Sequence, residues 1–174
     1  MTFFLLFLAA YILWNLLVFL LGIHEYGHLL AMKRVGIRPD KVVIGGVKIF
    51  TLKIGGLLFE IGLVPLWAYV ASKHYESSPS DKRAFVAAAG PAMSLATGLG
   101  FFLVDYIHPI WLVGLCAKGS FILLLTNLIP LPPLDGWTMI EHVLVKRGIK
   151  ITPRGRQYLL CAGMAAIALV TLVV

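Results

Sequence analysis

The stretch FFLLFLAAYILWNLLVFLLGIHEYGH, residues 3–28, joins a long apolar run to two histidines and a glutamate. Residues 3–23 carry no charged side chain, and about 20 such residues are enough for a helix to span a bilayer. The run is too long for a secretory signal and lacks a basic start, so we expect a permanent helix over residues 3–35. His24 and His28 would lie inside the membrane, where ionisable groups are costly and mark functional sites.

The composition indicates that the whole chain, and not only its first helix, belongs to a membrane protein. Hydrophobic residues make up 60% of the 174 residues and charged residues only 13%, which is outside the range of soluble domains. Three further apolar stretches, at about residues 84–106, 111–129 and 157–174, are long enough to span a bilayer or nearly so, and they predict spans over about residues 80–106, 111–129 and 153–174. We therefore predict a membrane all-α fold with four transmembrane helices, in a single domain that covers residues 1–174.

Lysine and arginine are unevenly distributed along the chain. Nine of the 15 lie in residues 33–83, between the first two apolar stretches, and five lie in residues 146–156, near the start of the last stretch. The segment 105–109 between the second and third stretches has none. By the positive-inside rule both basic loops face the cytosol and both termini lie on the other side, in a multi-pass protein of the cell membrane. The net charge of +7 thus reflects topology, and no nucleic-acid partner is expected.

Glycine divides the segment between the first two helices into two strand-like runs. Val47–Ile54 and Leu57–Val64 are rich in valine, isoleucine, leucine and phenylalanine, and Gly55-Gly56 separates them. Two glycines between two such runs indicate a β-hairpin with a two-residue turn. We therefore predict a hairpin over residues 47–64.

His24-Glu25-Tyr26-Gly27-His28 has the H-E-x-x-H spacing of a zinc site. Residues i and i+4 share one face of a helix, so both imidazoles reach a single ion. Glu25 is offset by about 100° and reaches a water on that ion without binding the ion itself. His24 precedes Arg34 by ten residues, which places it about 15 Å into the membrane from the basic end of the helix. The alternative is a hydrogen-bonded polar cluster that holds helices together.

A catalytic zinc site typically has three protein ligands and a water, so a third ligand is needed. The other three histidines lie in loops or in a short helix predicted over Trp137–Val145, at the wrong depth. Asp135 instead follows three prolines that end the third helix. Irregular backbone at membrane depth is tolerated only when it is buried in protein or lines a wet cavity. This position favours Asp135 as the third ligand, with a cytosolic turn as the alternative.

Three motifs together resemble those of the site-2 protease family of intramembrane zinc metalloproteases. They are H-E-x-x-H on a membrane helix, Ala89-Gly90-Pro91 at the start of the next helix, and Asn127 eight residues before Asp135-Gly136. They occur in the family's order and cover about residues 22–136. The resemblance implies a protease that cuts transmembrane protein substrates within the lipid bilayer, and a membrane-associated hairpin that guides the substrate.

The resemblance also assigns roles to single residues. It implies one zinc ion per chain, with Glu25 as the catalytic carboxylate and Asn127 as a helper in the site. It implies that the zinc ligands are His24, His28 and Asp135. Water must then reach the zinc through a polar cavity that is open to the cytosolic side.

The chain departs from the family pattern at three places. Ser94 stands where many members have asparagine, Pro65-Leu66-Trp67-Ala68-Tyr69 where relatives often read Pro-Leu-Gly-Gly-Tyr, and Trp137 where a second glycine often follows Asp-Gly. A polar role for Ser94 and an unchanged substrate path are therefore not implied. No PDZ-like or nucleotide-sensing domain is expected, so the chain would be a minimal core. The alternative function is a non-proteolytic zinc-binding membrane protein, a metal carrier or scaffold, which would not need Glu25.

Overall fold

The computed structural model describes residues 2–149 and 151–173, so Lys150 of the second basic loop and Val174 of the last predicted span lie outside it. Within the described residues, the fold consists of helices and a single two-stranded sheet, which lies between the first and second helices in the sequence and packs against the first helix. The predicted combination of helices and one hairpin is therefore confirmed. The elements are α1 (Thr2–Arg34), β1 (Lys41–Ile54), β2 (Leu57–Ala71), α2 (Ser80–Ile107), α3 (Trp111–Asn127), α4 (Asp135–Lys146) and α5 (Pro153–Val173).

The four helices predicted as membrane spans correspond to α1, α2, α3 and α5, and their ends agree with the prediction within two residues. Among the described residues, α1 with 33 residues and α2 with 28 are long and apolar enough to cross a membrane. Helix α3 is apolar but has only 17 residues. The number of four spans therefore stays a prediction.

Helix α1 packs against three other elements through separate apolar clusters. Its middle contacts α3, its last third contacts α2, and the same region contacts β1 on another face. Its first turns lack such cover, because Phe3 is 89% exposed and Phe7 72%, as expected for side chains that contact lipid. The buried members of the three clusters are Leu16, Leu20 and Cys116; Ala31, Met32, Ile37 and Val86; and Leu29, Val42 and Ile44.

The hairpin is longer than the predicted residues 47–64. Gly55 and Gly56 form its turn as predicted, and both have positive φ angles, 57° and 87°, which a type I′ turn requires. Residues 41–44 of β1 pair with residues 58–61 of β2 on one side and with residues 68–71 of β2 on the other. Strand β2 therefore bends back and pairs twice with the start of β1. This arrangement brings the end of β2 back towards α1, where Val70 packs against the α1 clusters.

Three prolines separate α3 from α4 and turn the chain sharply. The Leu131 N–H donates to the Ile129 carbonyl at 2.8 Å, and the Leu134 N–H donates to the Leu131 carbonyl at 2.8 Å. The predicted short helix then begins at Asp135 and packs against α2, where Ser80 Oγ lies 3.1 Å from His142 Nδ1. The turn therefore delivers Asp135 to the buried space between α1 and α2.

Candidate metal centre

His24 and His28 lie one turn apart on α1 and point into the protein. Their exposed fractions are 2% and 7%, and their Nε2 atoms lie 3.2 Å from each other. Residues four apart on a helix share a face, and here that face is turned towards α2. The predicted juxtaposition of the two imidazoles is present.

Gly90 allows the backbone of α2 to pass directly over the two imidazole rings. A Cβ atom at this position would lie 2.7 Å from His24 Nε2 and closer still to the His28 ring. Contacts below about 3 Å are not tolerated without displacement, so any side chain here would move one of the rings or the helix. The Ala89-Gly90-Pro91 motif thus has a steric role at the site.

The second nitrogen of each ring has a hydrogen-bond partner on α2. His28 Nδ1 lies 2.8 Å from the Val86 carbonyl oxygen, which can only accept, so Nδ1 carries the hydrogen. In the neutral ring this leaves a lone pair on His28 Nε2. His24 Nδ1 lies 2.9 Å from Ser94 Oγ, and both groups are buried.

Asp135 completes the group from the first residue of α4. Its Oδ2 atom lies 3.2 Å from His24 Nε2 and 3.3 Å from His28 Nε2, and its side chain is 18% exposed. Gly136 allows this approach, because a Cβ there would meet the carbonyl oxygens of Leu128 and Ile129. The structure therefore brings Asp135 to the two histidines.

The three converging atoms fit a zinc ion. Zinc binds imidazole nitrogen and carboxylate oxygen at about 2.0–2.2 Å in tetrahedral sites, so two of its ligand atoms lie about 3.3 Å apart. The observed separations of 3.2, 3.2 and 3.3 Å among His24 Nε2, His28 Nε2 and Asp135 Oδ2 match this value. Each ring also has a partner for its other nitrogen, as metal-binding histidines usually do.

Glu25 lies beside this group without belonging to the triangle. The residue is 4% exposed, and one of its carboxylate oxygens lies within 4.8 Å of a ring nitrogen of both His24 and His28. Its Oε2 atom is buried and has no hydrogen-bond partner among the described residues. Buried polar atoms without a partner are rare, so this oxygen is a candidate for interaction with a water or a substrate.

Asn127 ends α3 and is half-buried, but its amide is engaged elsewhere. The Nδ2 group donates to the Leu123 carbonyl of its own helix at 2.9 Å. No hydrogen bond in the described part of the chain joins Asn127 to His24, Glu25 or Asp135. The helper role that the resemblance implies for Asn127 stays a prediction.

A partly buried cluster of charges that the sequence did not reveal connects α4 with α2 and α5. Glu141 is 4% exposed, contacts Arg156 of α5 and lies 3.7 Å from Arg83 Nη1 of α2. Glu76 lies 2.8 Å from Arg156 and 3.4 Å from Arg83. Burial raises the pKa of the neighbouring Tyr75 to about 12, so its hydroxyl stays protonated and donates to the Arg83 carbonyl. A single sequence gives no signal that pairs residues so far apart.

Ser94 is the other residue whose contact the sequence did not predict. Many members of the family that the sequence resembles have asparagine at this position, so the resemblance implied no role for serine. A signal was present in the spacing, because Ser94 follows Gly90 by one helical turn and shares its face of α2.

Comparison with known proteins identifies a matching family and several similar proteins. Residues 12–109, more than half of the chain, match Peptidase family M50. Two proteins named "Putative zinc metalloprotease" are similar: one from Chlamydia trachomatis is 33% identical over 111 residues, and one from Clostridium perfringens is 30% identical over 114. These alignments cover 51% and 64% of this chain but only 18% and 34% of the relatives. The chain thus spans about a third or less of the length of these relatives.

A solved structure shows the same fold. The Site-2 Protease from Methanocaldococcus jannaschii superimposes with a TM-score of 0.63 at 20% sequence identity, covering 92% of this chain and 65% of that one. The family match includes the H-E-x-x-H helix, the hairpin and the Ala89-Gly90-Pro91 segment. On the extent of this match, the chain belongs to peptidase family M50.

Proposed function

We propose that this protein is an intramembrane zinc endopeptidase that hydrolyses peptide bonds within or near the transmembrane segments of other membrane proteins. The observation that carries the proposal is the buried carboxylate of Glu25, which lies beside three converging ligand atoms and has an oxygen free for a water. A metal carrier or scaffold would need the ligands but has no use for such a carboxylate. Membership of a peptidase family supports the same conclusion.

The ligand set proposed for one zinc ion per chain is His24, His28 and Asp135. Bound zinc lowers the pKa of water towards about 7 and polarises a carbonyl group. Glu25 would accept a proton from the attacking water at Oε2 and later deliver it to the leaving amine. Asn127 is proposed as a donor to the developing oxyanion on the strength of the family resemblance, and its side chain would have to rotate to release Nδ2 from the Leu123 carbonyl.

The end of β2 is the proposed place for the substrate. A substrate helix hides its carbonyl groups in its own hydrogen bonds, so it must unwind before cleavage. Residues 68–71 pair with 41–44 on one side, and they have no other sheet partner within the described residues. The Val70 backbone also lies beside the Glu25 carboxylate. An unwound segment could therefore add to this edge as a further strand, close to the catalytic group.

Trp67 directly precedes the strand edge proposed for the substrate, and the family pattern often has glycine at its position. A Cβ atom at Gly46 would lie 2.7 Å from Trp67 Cη2, so the indole packs against the hairpin backbone. The ring thereby covers part of the sheet immediately before residues 68–71 in the sequence. We propose that it restricts the substrate segments that this edge accepts.

The proposed location is an integral, multi-pass protein of the cell membrane with its active site near the cytosolic side. Lys33 and Arg34 lie in the last turn of α1. Arg34 follows His28 by six residues, which is about 9 Å along the helix. The positive-inside rule places these residues at the cytosolic surface. Water and a cut product would then have a short route between the site and the cytosol.

The proposal is tested by cleavage of single-span membrane proteins in liposomes, with wild type, Glu25→Gln and a chelator-treated sample. Glu25→Gln keeps shape but removes the proton acceptor, so we expect cleavage to fall at least about 100-fold while zinc is retained. Glu60→Gln is the matched control, because it makes the same chemical change at a carboxylate outside the metal centre, one that pairs with Lys41 at 3.6 Å on the hairpin. Equal cleavage by wild type and Glu25→Gln refutes the mechanism. Zinc binding without cleavage of any substrate in a broad panel favours the carrier or scaffold.

A further inference from the structure

The two histidines of the metal centre are held in place by different kinds of group. His28 donates to a backbone carbonyl, that of Val86, which no substitution can remove. His24 instead faces a side chain, with its Nδ1 atom 2.9 Å from Ser94 Oγ. The orientation of one ring is therefore set by the fold of α2, and that of the other by a single hydroxyl group.

We propose that Ser94 is a positioning residue that fixes the ring and the hydrogen position of His24 and thereby sets the affinity for zinc. The inference rests on the zinc site proposed above. With the hydrogen of His24 on Nδ1 and donated to Ser94 Oγ, the lone pair of Nε2 is left free for a metal, and this atom lies 3.2 Å from both Asp135 Oδ2 and His28 Nε2. The family resemblance left this position without a role, and the structure supplies one.

The geometry of α2 supports a dedicated contact. Val86, Gly90 and Ser94 lie at positions i, i+4 and i+8, so they form one stripe along the helix. Val86 supplies an acceptor for the His28 ring, Gly90 leaves space above both rings, and Ser94 supplies a hydroxyl for the His24 ring. Ser94 is 2% exposed, and its Oγ makes no second hydrogen bond within the described residues.

Loss of the Ser94 hydroxyl has a specific chemical consequence. A buried Nδ1–H without an acceptor is unfavourable, so the ring would rotate or move its hydrogen to Nε2. A hydrogen on Nε2 occupies the lone pair that a metal needs. Removal of such supporting groups typically lowers metal affinity about 10- to 100-fold.

Ser120 provides a matched control for the removal of a buried hydroxyl. It is 1% exposed, lies on α3, and donates to the Cys116 carbonyl of its own helix at 2.9 Å. Ser120→Ala therefore deletes the same atom from an equally buried position that does not touch the rings. Ser94→Thr is the conservative variant, because it keeps the hydroxyl at the site.

The experiment measures the zinc dissociation constant of the full chain in detergent by competition with a chelator. Ser94→Ala should raise the constant about 10- to 100-fold, while Ser120→Ala and Ser94→Thr stay close to wild type. Cobalt(II) in place of zinc gives a second readout, and its visible absorption should change in Ser94→Ala but not in Ser120→Ala. Equal constants for Ser94→Ala and Ser120→Ala overturn the inference, as do equal losses in Ser94→Ala and Ser94→Thr.

These results are separable from a failure of the proposed function. If wild type binds no zinc, the metal site itself is wrong. If wild type binds zinc and cuts substrate but Ser94→Ala binds zinc equally well, only the role of Ser94 is wrong.

Discussion

Replacement of Gly90 by alanine places one methyl group between α2 and the two imidazoles. The new Cβ would lie 2.7 Å from His24 Nε2 and nearer to the His28 ring, and an unstrained contact needs about 3.4 Å or more. The two buried helices must therefore separate, or the rings must turn away from their partners Val86 and Ser94. Overpacking of this kind typically destabilises a protein by about 1–3 kcal/mol.

The expected loss of metal binding is larger than the loss of stability suggests. The ligand triangle has sides of 3.2 to 3.3 Å, so a ring displaced by several tenths of an ångström no longer meets the other two ligands. We therefore expect Gly90→Ala to lose most of its zinc affinity. The assays are thermal unfolding in detergent, with and without a chelator, and the zinc content of the purified protein.

Gly100 is the control on the same helix. It is exposed, and a Cβ there meets nothing within 4 Å, so Gly100→Ala should stabilise α2 by about 0.5–1 kcal/mol and leave zinc unchanged. The two glycine substitutions are thus predicted to act in opposite directions. Full zinc occupancy in Gly90→Ala, with stability equal to that of Gly100→Ala, would refute the steric role of Gly90 and the described approach of α2.

Three further predictions concern other parts of the chain. Asp135→Ala should reduce zinc content sharply while Asp105→Ala does not, and stoichiometric zinc in Asp135→Ala would mean that the third ligand is another residue. Glu141→Ala removes one of the two carboxylates beside the buried Arg83 and leaves the exposed Glu76, so we expect about 1–3 kcal/mol less stability in denaturant titration, against at most about 1 kcal/mol for Glu60→Ala on the hairpin; equal losses would contradict this. Cysteines placed near Lys73 should react with a reagent confined to the cytosol, and those near Asp105 should not; the reverse pattern would contradict the topology.

Local spacing allowed the histidine pair to be predicted, whereas the supporting contacts could not be. The i, i+4 relation of His24 and His28 follows from helix geometry alone. Asp135 lies 111 residues from His24, and only the prolines before it and the family resemblance suggested that the chain returns there. The contact of His24 with Ser94 spans 70 residues. The spacing of Gly90 and Ser94 places both on one face of α2, but it does not indicate which side chain of α1 that face meets.

The hairpin shows a similar limit of prediction. Its turn was predicted because two adjacent glycines between strand-like runs are a local signal, and the structure gives both of them positive φ angles. Its full length was not predicted, since the predicted first strand begins at Val47, whereas β1 begins at Lys41 and continues through Gly45-Gly46. The pairing of residues 41–44 with two separate segments of β2 depends on contacts across the sheet, which local propensity does not encode.

Glu25 in the candidate metal centre and Arg83 in the charge cluster near α4 differ in how their buried charges are compensated. Two buried side-chain atoms of the described residues have no hydrogen-bond partner, Glu25 Oε2 and Arg83 Nε. The charge of Arg83 is compensated, because its Nη1 lies within 4 Å of two carboxylates. Glu25 has no ion-pair partner in that part of the chain, and an isolated buried charge is strongly unfavourable. The nearest place for a compensating cation is the triangle formed by His24 Nε2, His28 Nε2 and Asp135 Oδ2, so a metal bound there would also stabilise the Glu25 carboxylate, which agrees with the role proposed for it.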